Sequence, residues 1–178
     1  FFVIYANIDA FNPAENFPSL TEQELDFSLT AETLAKSPGY RPVAERSELD
    51  RWILSQLHRT IDDITVAMDR YENYDACGHL TAFVDALSNW YVRRSRDRFW
   101  SGETKAPDKL DAYWTLYECL LTICKLVAPF IPFLAEAMWR NLALPFGEQA
   151  AESVHLCDYP QSDGDRVDST LQEQMALM

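Results

Sequence analysis

The chain has 178 residues, a formal net charge of −13, 48% hydrophobic and 13% aromatic content. That length supports one packed domain with tails, and so apolar a chain is not disordered. No apolar run reaches the ~18 residues of a membrane helix, and the opening "FFVIYANIDAF" has no initiator Met, charged leader or cleavage site, so it reads as the interior of a longer protein.

The acidity is uneven. Residues 1–50 hold nine acids against three bases, residues 145–178 seven against one, and residues 51–144 twelve against eleven. A local basic patch can therefore sit in the middle without raising the overall pI. The high pI usual for a nucleic-acid binder is absent, which counts against RNA contact on composition alone.

In chain order, Phe1 to about Ile8 reads as the end of an apolar helix. Residues 11–46, with Pro13, Pro18, Pro38, Gly39 and Pro42, read as a long irregular connection carrying one helical turn near 21–26. Ser47 and Asp50 resemble a capping box. Leu49, Trp52, Ile53, Leu57, Ile61, Ile64 and Met68 then give one buried helical face over 47–71. The short link at 72–74 predicts that the next helix packs antiparallel, with Asp75 as its cap. That helix runs through Leu80, Phe83, Val84, Leu87 and Tyr91 to about Gly102. Pro107 starts a third helix, with Leu110, Tyr113, Trp114, Tyr117, Leu120, Leu121 and Cys124 on its apolar face. Prolines 129 and 132 break it, and a fourth helix spans about 132–143. Beyond that, "ESVHLCDYP" reads as a short extended segment and "STLQEQMALM" as the start of another helix, capped by Asp168 or Ser169. The fold class is an all-α antiparallel up-and-down bundle over 1–145, followed by a tail, 146–178.

Cys77, Cys119, Cys124 and Cys157 form no CxxC pair and read as reduced structural thiols. His155 and Cys157 lack a second ligand pair, so no zinc pattern is present. His58 and His79 have no carboxylate at catalytic spacing and read as surface or boundary residues. The Glu-x-x-His pairs of a cofactor-bearing four-helix bundle are absent.

The stretch "NWYVRRSRDRFW", residues 89–100, gathers four arginines and four aromatics. With Leu87 at the centre of the buried face and 100° per residue, Arg94 and Arg98 fall within about 20–40° of that centre, while Arg93, Arg96 and Trp100 lie about 120–180° away. Arg94 and Arg98 are thus expected to close the core by pairing with acids. Arg93, Arg96 and Trp100, with Phe99 beside them, form an outer set suited to phosphates and splayed bases, which stack on aromatics at ~1–3 kcal/mol each. RNA contact, a protein interface and an inert surface all remain open on physics alone.

"SELDRWILSQL", "FVDALSNWYVRRSRDRFW", "YWTLYECLLTICKLVAPFIPFLAEAMWRNL" and "ESVHLCDYP", in that order, resemble the C-terminal anticodon-binding domain of isoleucyl-tRNA synthetases. "LDRWI" and the Asn-Trp-Tyr triplet are shared with valyl and leucyl relatives, and "NWYVRRSRDRFW" is the more specific element. The resemblance implies a non-catalytic module that holds the tRNA(Ile) anticodon stem-loop in the cytoplasm, with no membrane or DNA partner. ATP and magnesium would serve an upstream catalytic domain of the same chain, and no cofactor belongs to this part. "LAKSPGY" at 34–40 lacks the family's Lys-Met-Ser-Lys-Ser pattern and is read as loop. In related methionyl enzymes an Asn and an Arg near the end of the first helix and a Trp at the end of the third occupy similar locations. Asn7 and Trp100 match those places, whereas Phe11 stands where the Arg would be. The implied tRNA-binding set is Asn7, Arg93, Arg96, Phe99 and Trp100, with Arg94 and Arg98 as structural or secondary contacts. The rival reading is a helical docking module, of a valyl- or leucyl-type synthetase or another multi-domain protein, without direct RNA contact.

Overall fold

The apolar opening forms α1 (Phe2–Ile8) in the computed structural model, which describes residues 1–18 and 27–177. The following connection carries one helical turn, α2 (Ala31–Leu34), and a 3-10 turn at Val43–Glu45. The helical turn expected near 21–26 lies outside the described residues. Ser47 caps α3 (Glu48–Asp69) by accepting from the Asp50 N–H at 3.3 Å. The Asp50 carboxylate does not complete the capping box; it turns inward, with consequences described below.

A tight reversal ends α3. The Glu72 N–H donates to the Ala67 carbonyl (2.9 Å) and the Tyr71 N–H to that of Met68 (3.0 Å), the two bonds of a Schellman motif. Tyr71 occupies the left-handed position, φ 61°, where glycine is usual. Helix α4 (Asn73–Asp85) follows behind Glu72, with no side-chain cap. Asp75 was expected as that cap, but the helix starts two residues earlier and Asp75 lies in its first turn.

The second long helix is not continuous. After Asp85 the backbone widens into a π turn over Ala86–Val92, breaks, and resumes as α5 (Arg96–Trp100). The buried residues explain the widening. Phe83, Leu87, Tyr91, Ser95 and Phe99 all point inward and recur in steps of four. A regular helix drifts about 40° in each such step, whereas the wider π turn, bonding i to i+5, brings the stripe back toward the core.

Pro107 opens α6 (Pro107–Val127), Pro132 opens α7 (Pro132–Ala143), and Asp168 caps α8 (Ser169–Ala176) by accepting from the Leu171 N–H at 2.9 Å. The aromatic contacts fix the directions. Phe2 stacks on Tyr117 while Asp9 meets Lys109, so α1 and α6 run antiparallel. Trp90 packs on Trp52 and His79 faces Asp63, so α3 and α4 also run antiparallel. Tyr117 donates to the Leu142 carbonyl at 2.7 Å, which sets α7 against α6. The described residues thus form an all-α up-and-down bundle. The end of α1, the start of α3, α5 and the start of α6 meet at one end of it.

Helix α6 is buried on nearly every side, and its charges tie the loops to it. Asp111 meets Arg41 (3.2 Å), Glu118 meets Arg166 (3.1 Å) and the Tyr40 hydroxyl (2.8 Å), and Lys125 donates to the Ser28 carbonyl (2.9 Å). Burial, and then the Glu118 charge, push the Tyr40 pKa upward. "ESVHLCDYP" was expected to be extended. It folds instead into a 3-10 turn at Val154–Leu156, because Glu136 of α7 accepts from Ser153 Oγ (2.8 Å) and from the Val154 N–H (3.0 Å).

The C-terminal tail lies on α3, with the Asp168 N–H and Gln172 Nε2 both donating to Ser55 Oγ, at 2.8 and 2.7 Å. His58, expected at the surface or boundary, is buried under this tail and accepts from the Asp163 N–H at 3.1 Å. Cys119 and Cys124 are buried thiols, Cys157 is half-buried and Cys77 is exposed.

Candidate nucleic-acid interface

The site is built at the end of the bundle where α1, α5 and the starts of α3 and α6 converge. Its deepest element is Asp50, which is 0% exposed. Arg98 donates to both carboxylate oxygens of Asp50, Nη1 at 2.8 Å and Nη2 at 2.7 Å, a bidentate fork. The Tyr91 hydroxyl (2.6 Å) and Ser47 Oγ (2.8 Å) donate to the same carboxylate. Arg98 also donates to the Asp108 carboxylate (2.9 Å) and carbonyl (2.7 Å) at the head of α6. Burial alone would depress the Arg98 pKa, but the hydrogen bonds and charge of Asp50 outweigh it and hold the guanidinium charged. Burial first, and then Asp50, push the Tyr91 hydroxyl far above its ordinary value, so it stays a donor. Arg98 therefore closes the core as its place on the helix implied, and fastens α5 to α3 and α6.

Arg94 was expected beside it in the core. It is exposed, with its guanidinium 4.4 Å from the centre of the Trp90 ring. The π turn over Ala86–Val92 alters the rotation that a regular helix would give Arg94. Phe99 is the second correction. Placed among base-stacking residues, it is only 1% exposed, wedged edge-on against Phe1 (5.2 Å) and Tyr113 (5.0 Å). It belongs to the inward stripe and cannot meet a base.

Trp100, by contrast, is 58% exposed. Its indole N–H donates to the Tyr5 hydroxyl at 2.7 Å, so the ring is held out from the surface by α1. Tyr5 rests on Phe1, which touches Phe99, giving Trp100 an aromatic footing that reaches the core. Arg93 and Arg96 are exposed and have no carboxylate within ion-pair distance among the described residues. Asn7 is exposed two residues beyond Tyr5 and makes no side-chain hydrogen bond to the described residues. The exposed outer set is thus Arg93, Arg96 and Trp100, with Asn7 on the adjoining helix, while the Arg94 guanidinium lies over Trp90.

Sequence reasoning overlooked three supporting residues: Tyr5, the inward role of Asp50, and Lys109. Lys109 carried a signal, since a cation in the first turn of a helix opposes the helix dipole and needs a local acid to justify it. Among the described residues no group of three or more His, Cys, Asp or Glu side chains could hold a metal ion, and no helix is long and apolar enough to cross a membrane.

Known proteins place this geometry in a family. The chain is 43% identical over all 178 residues to an isoleucine–tRNA ligase of Dehalococcoides mccartyi (strain CBDB1), of which it spans 15%. It is 41% identical over 177 residues to that of Clostridium novyi, again 15% of the relative's length. Over 147 residues, 83% of the chain, it is 46% identical to that of Thermobifida fusca, of which it spans 13%. Residues 50–178 match the family described as the anticodon-binding domain of tRNA ligase. With the helical bundle, this match shows that the chain belongs to the anticodon-binding domains of tRNA ligases.

Proposed function

We propose that this chain is the anticodon-binding module of an isoleucine–tRNA ligase and that it grips the anticodon stem-loop of tRNA(Ile) through the end of the bundle carrying Trp100. Arg93 and Arg96 neutralise phosphates, Trp100 stacks on an unpaired base, Asn7 hydrogen-bonds a base edge, and Arg94 is at most a secondary contact. Arg98 and Phe99 serve from beneath, holding α5 in place. The observation that carries this reading is the braced, exposed Trp100 beside guanidiniums without acid partners. Indole and guanidinium faces accept bases of any sequence, so base identity would be read by polar groups such as Asn7.

Amino-acid activation, with its ATP and magnesium, belongs in this proposal to the catalytic region of the same ligase, and the enzyme works in the cytoplasm on RNA rather than DNA. The module then contributes binding energy, which lowers the KM for tRNA. Steady-state aminoacylation by the full-length ligase tests this. Trp100→Ala removes ~1–3 kcal/mol of stacking and should raise the tRNA KM about fivefold or more, and Arg96→Ala should raise it less. Unchanged KM values in both variants would favour the rival, a helical module that docks without touching RNA.

A further inference from the structure

We propose that Lys109 is a positioning residue for tRNA binding, one ammonium that sets the spacing between the two RNA-facing segments. The inference rests on the anticodon-site reading above. Those segments come from opposite parts of the sequence: α1 supplies Asn7, and α5 supplies Trp100. Lys109, at the head of α6, lies between them and is 2% exposed. Its Nζ meets Asp9 Oδ2 at 2.7 Å, two residues beyond Asn7. The same Nζ donates to the Ser101 carbonyl at 2.7 Å, one residue beyond Trp100. Asp9 Oδ2 also accepts from the Tyr113 hydroxyl, so the carboxylate is fixed to α6 at two points.

A lysine is almost never so buried without a specific partner. Burying such a pair brings little net stability, because desolvation offsets much of the attraction, and replacing both partners with well-packed apolar residues of similar volume is often neutral. What the pair supplies is geometry. The carbonyl after Trp100 ends α5 and has its own donor here, while the Trp100–Tyr5 bond joins the same two segments at the exposed rim. The buried link sits beneath the exposed one. Without it, α1 and α5 would remain packed through Phe1 and Phe99, but the distance between Asn7 and Trp100 would no longer be held by a charge. Small displacements of groups that bind together carry large penalties.

The test uses the full-length ligase and separates positioning from stability. Lys109→Met alone strands the Asp9 carboxylate and should lower the melting temperature as well as weaken tRNA binding. The double variant Asp9→Asn/Lys109→Met removes both charges, and the new amide still accepts from the Tyr113 hydroxyl, so thermal stability should recover most of what the single variant loses. The bridge to Ser101 stays broken. The tRNA KM of the double variant should therefore remain raised about tenfold, equivalent to ~1.4 kcal/mol, with kcat changed less than about twofold. A KM that recovers with the melting temperature would overturn the proposal and leave Lys109 a structural residue. Trp100→Ala and Arg96→Ala are measured in parallel. If they raise KM and the double variant does not, positioning fails and the site stands. If they too leave KM unchanged, the site reading fails and the positioning role falls with it.

Discussion

Replacing Asp50 with alanine should cost far more than an ordinary polar substitution at the site-bearing end of the bundle. The carboxylate is fully buried and receives four donors: both Nη groups of Arg98, the Tyr91 hydroxyl and Ser47 Oγ. Breaking a buried, hydrogen-bonded pair by removing one partner costs about 3–5 kcal/mol, because the remaining charge is left uncompensated. Two features place Asp50→Ala toward the lower end. Arg98 keeps the Asp108 carboxylate and carbonyl, and Tyr91 has a second acceptor, the Ala112 carbonyl at 3.3 Å. We therefore expect about 3 kcal/mol, or ~6–12 °C in melting temperature at this chain length. Asp50→Asn keeps the shape and one acceptor oxygen and should lie between the two. Urea unfolding followed by tryptophan fluorescence, with the slope checked for constancy, gives the difference directly. A loss below about 1 kcal/mol for Asp50→Ala, the size of an ordinary surface change, would refute the view that this carboxylate holds α3, α5 and α6 together.

Two further outcomes follow from the fold. Tyr71 is exposed and sits in the left-handed position of the Schellman turn, so Tyr71→Gly should stabilise the chain by about 0.5–1 kcal/mol, the relief of backbone strain exceeding glycine's extra entropy loss; a destabilised variant would mean that the tyrosine ring has a role at this turn. His58 has its pKa lowered by burial and then by the nearby Arg166 charge, partly offset by Glu118 and Asp163. Its neutral Nδ1 accepts from Asp163, so the contribution to stability is full above the unfolded value of about 6.5 and is lost as pH falls through the lower folded value. Melting temperatures between pH 7.5 and 5 should therefore fall more steeply for the parent than for His58→Gln, and parallel profiles would contradict this assignment.

Much of the bundle was legible because its helix boundaries are written in local chemistry. Ser47, Pro107, Pro132 and Asp168 each open a helix for a reason that needs no tertiary contact. The irregular register of α4 and α5 was not legible under a constant 100° per residue. That assumption sent Arg94 inward and left Phe99 at the surface, whereas the inward residues from Phe83 to Phe99 recur every four positions. The four-residue stripe was itself visible in the sequence, although Ser95, a small polar member, disguised it. His58 was misplaced for a different reason, since its cover comes from residues more than a hundred positions away. Local patterns cannot report such contacts.

The most direct test of the central claim is the salt dependence of tRNA(Ile) binding to the full-length ligase, parent against Arg96→Ala. If Arg96 neutralises a phosphate, the slope of log K against log salt should become shallower by about one in the variant, with the largest affinity loss at low salt. An unchanged slope and affinity would contradict the account and leave the exposed arginines without a role in holding RNA.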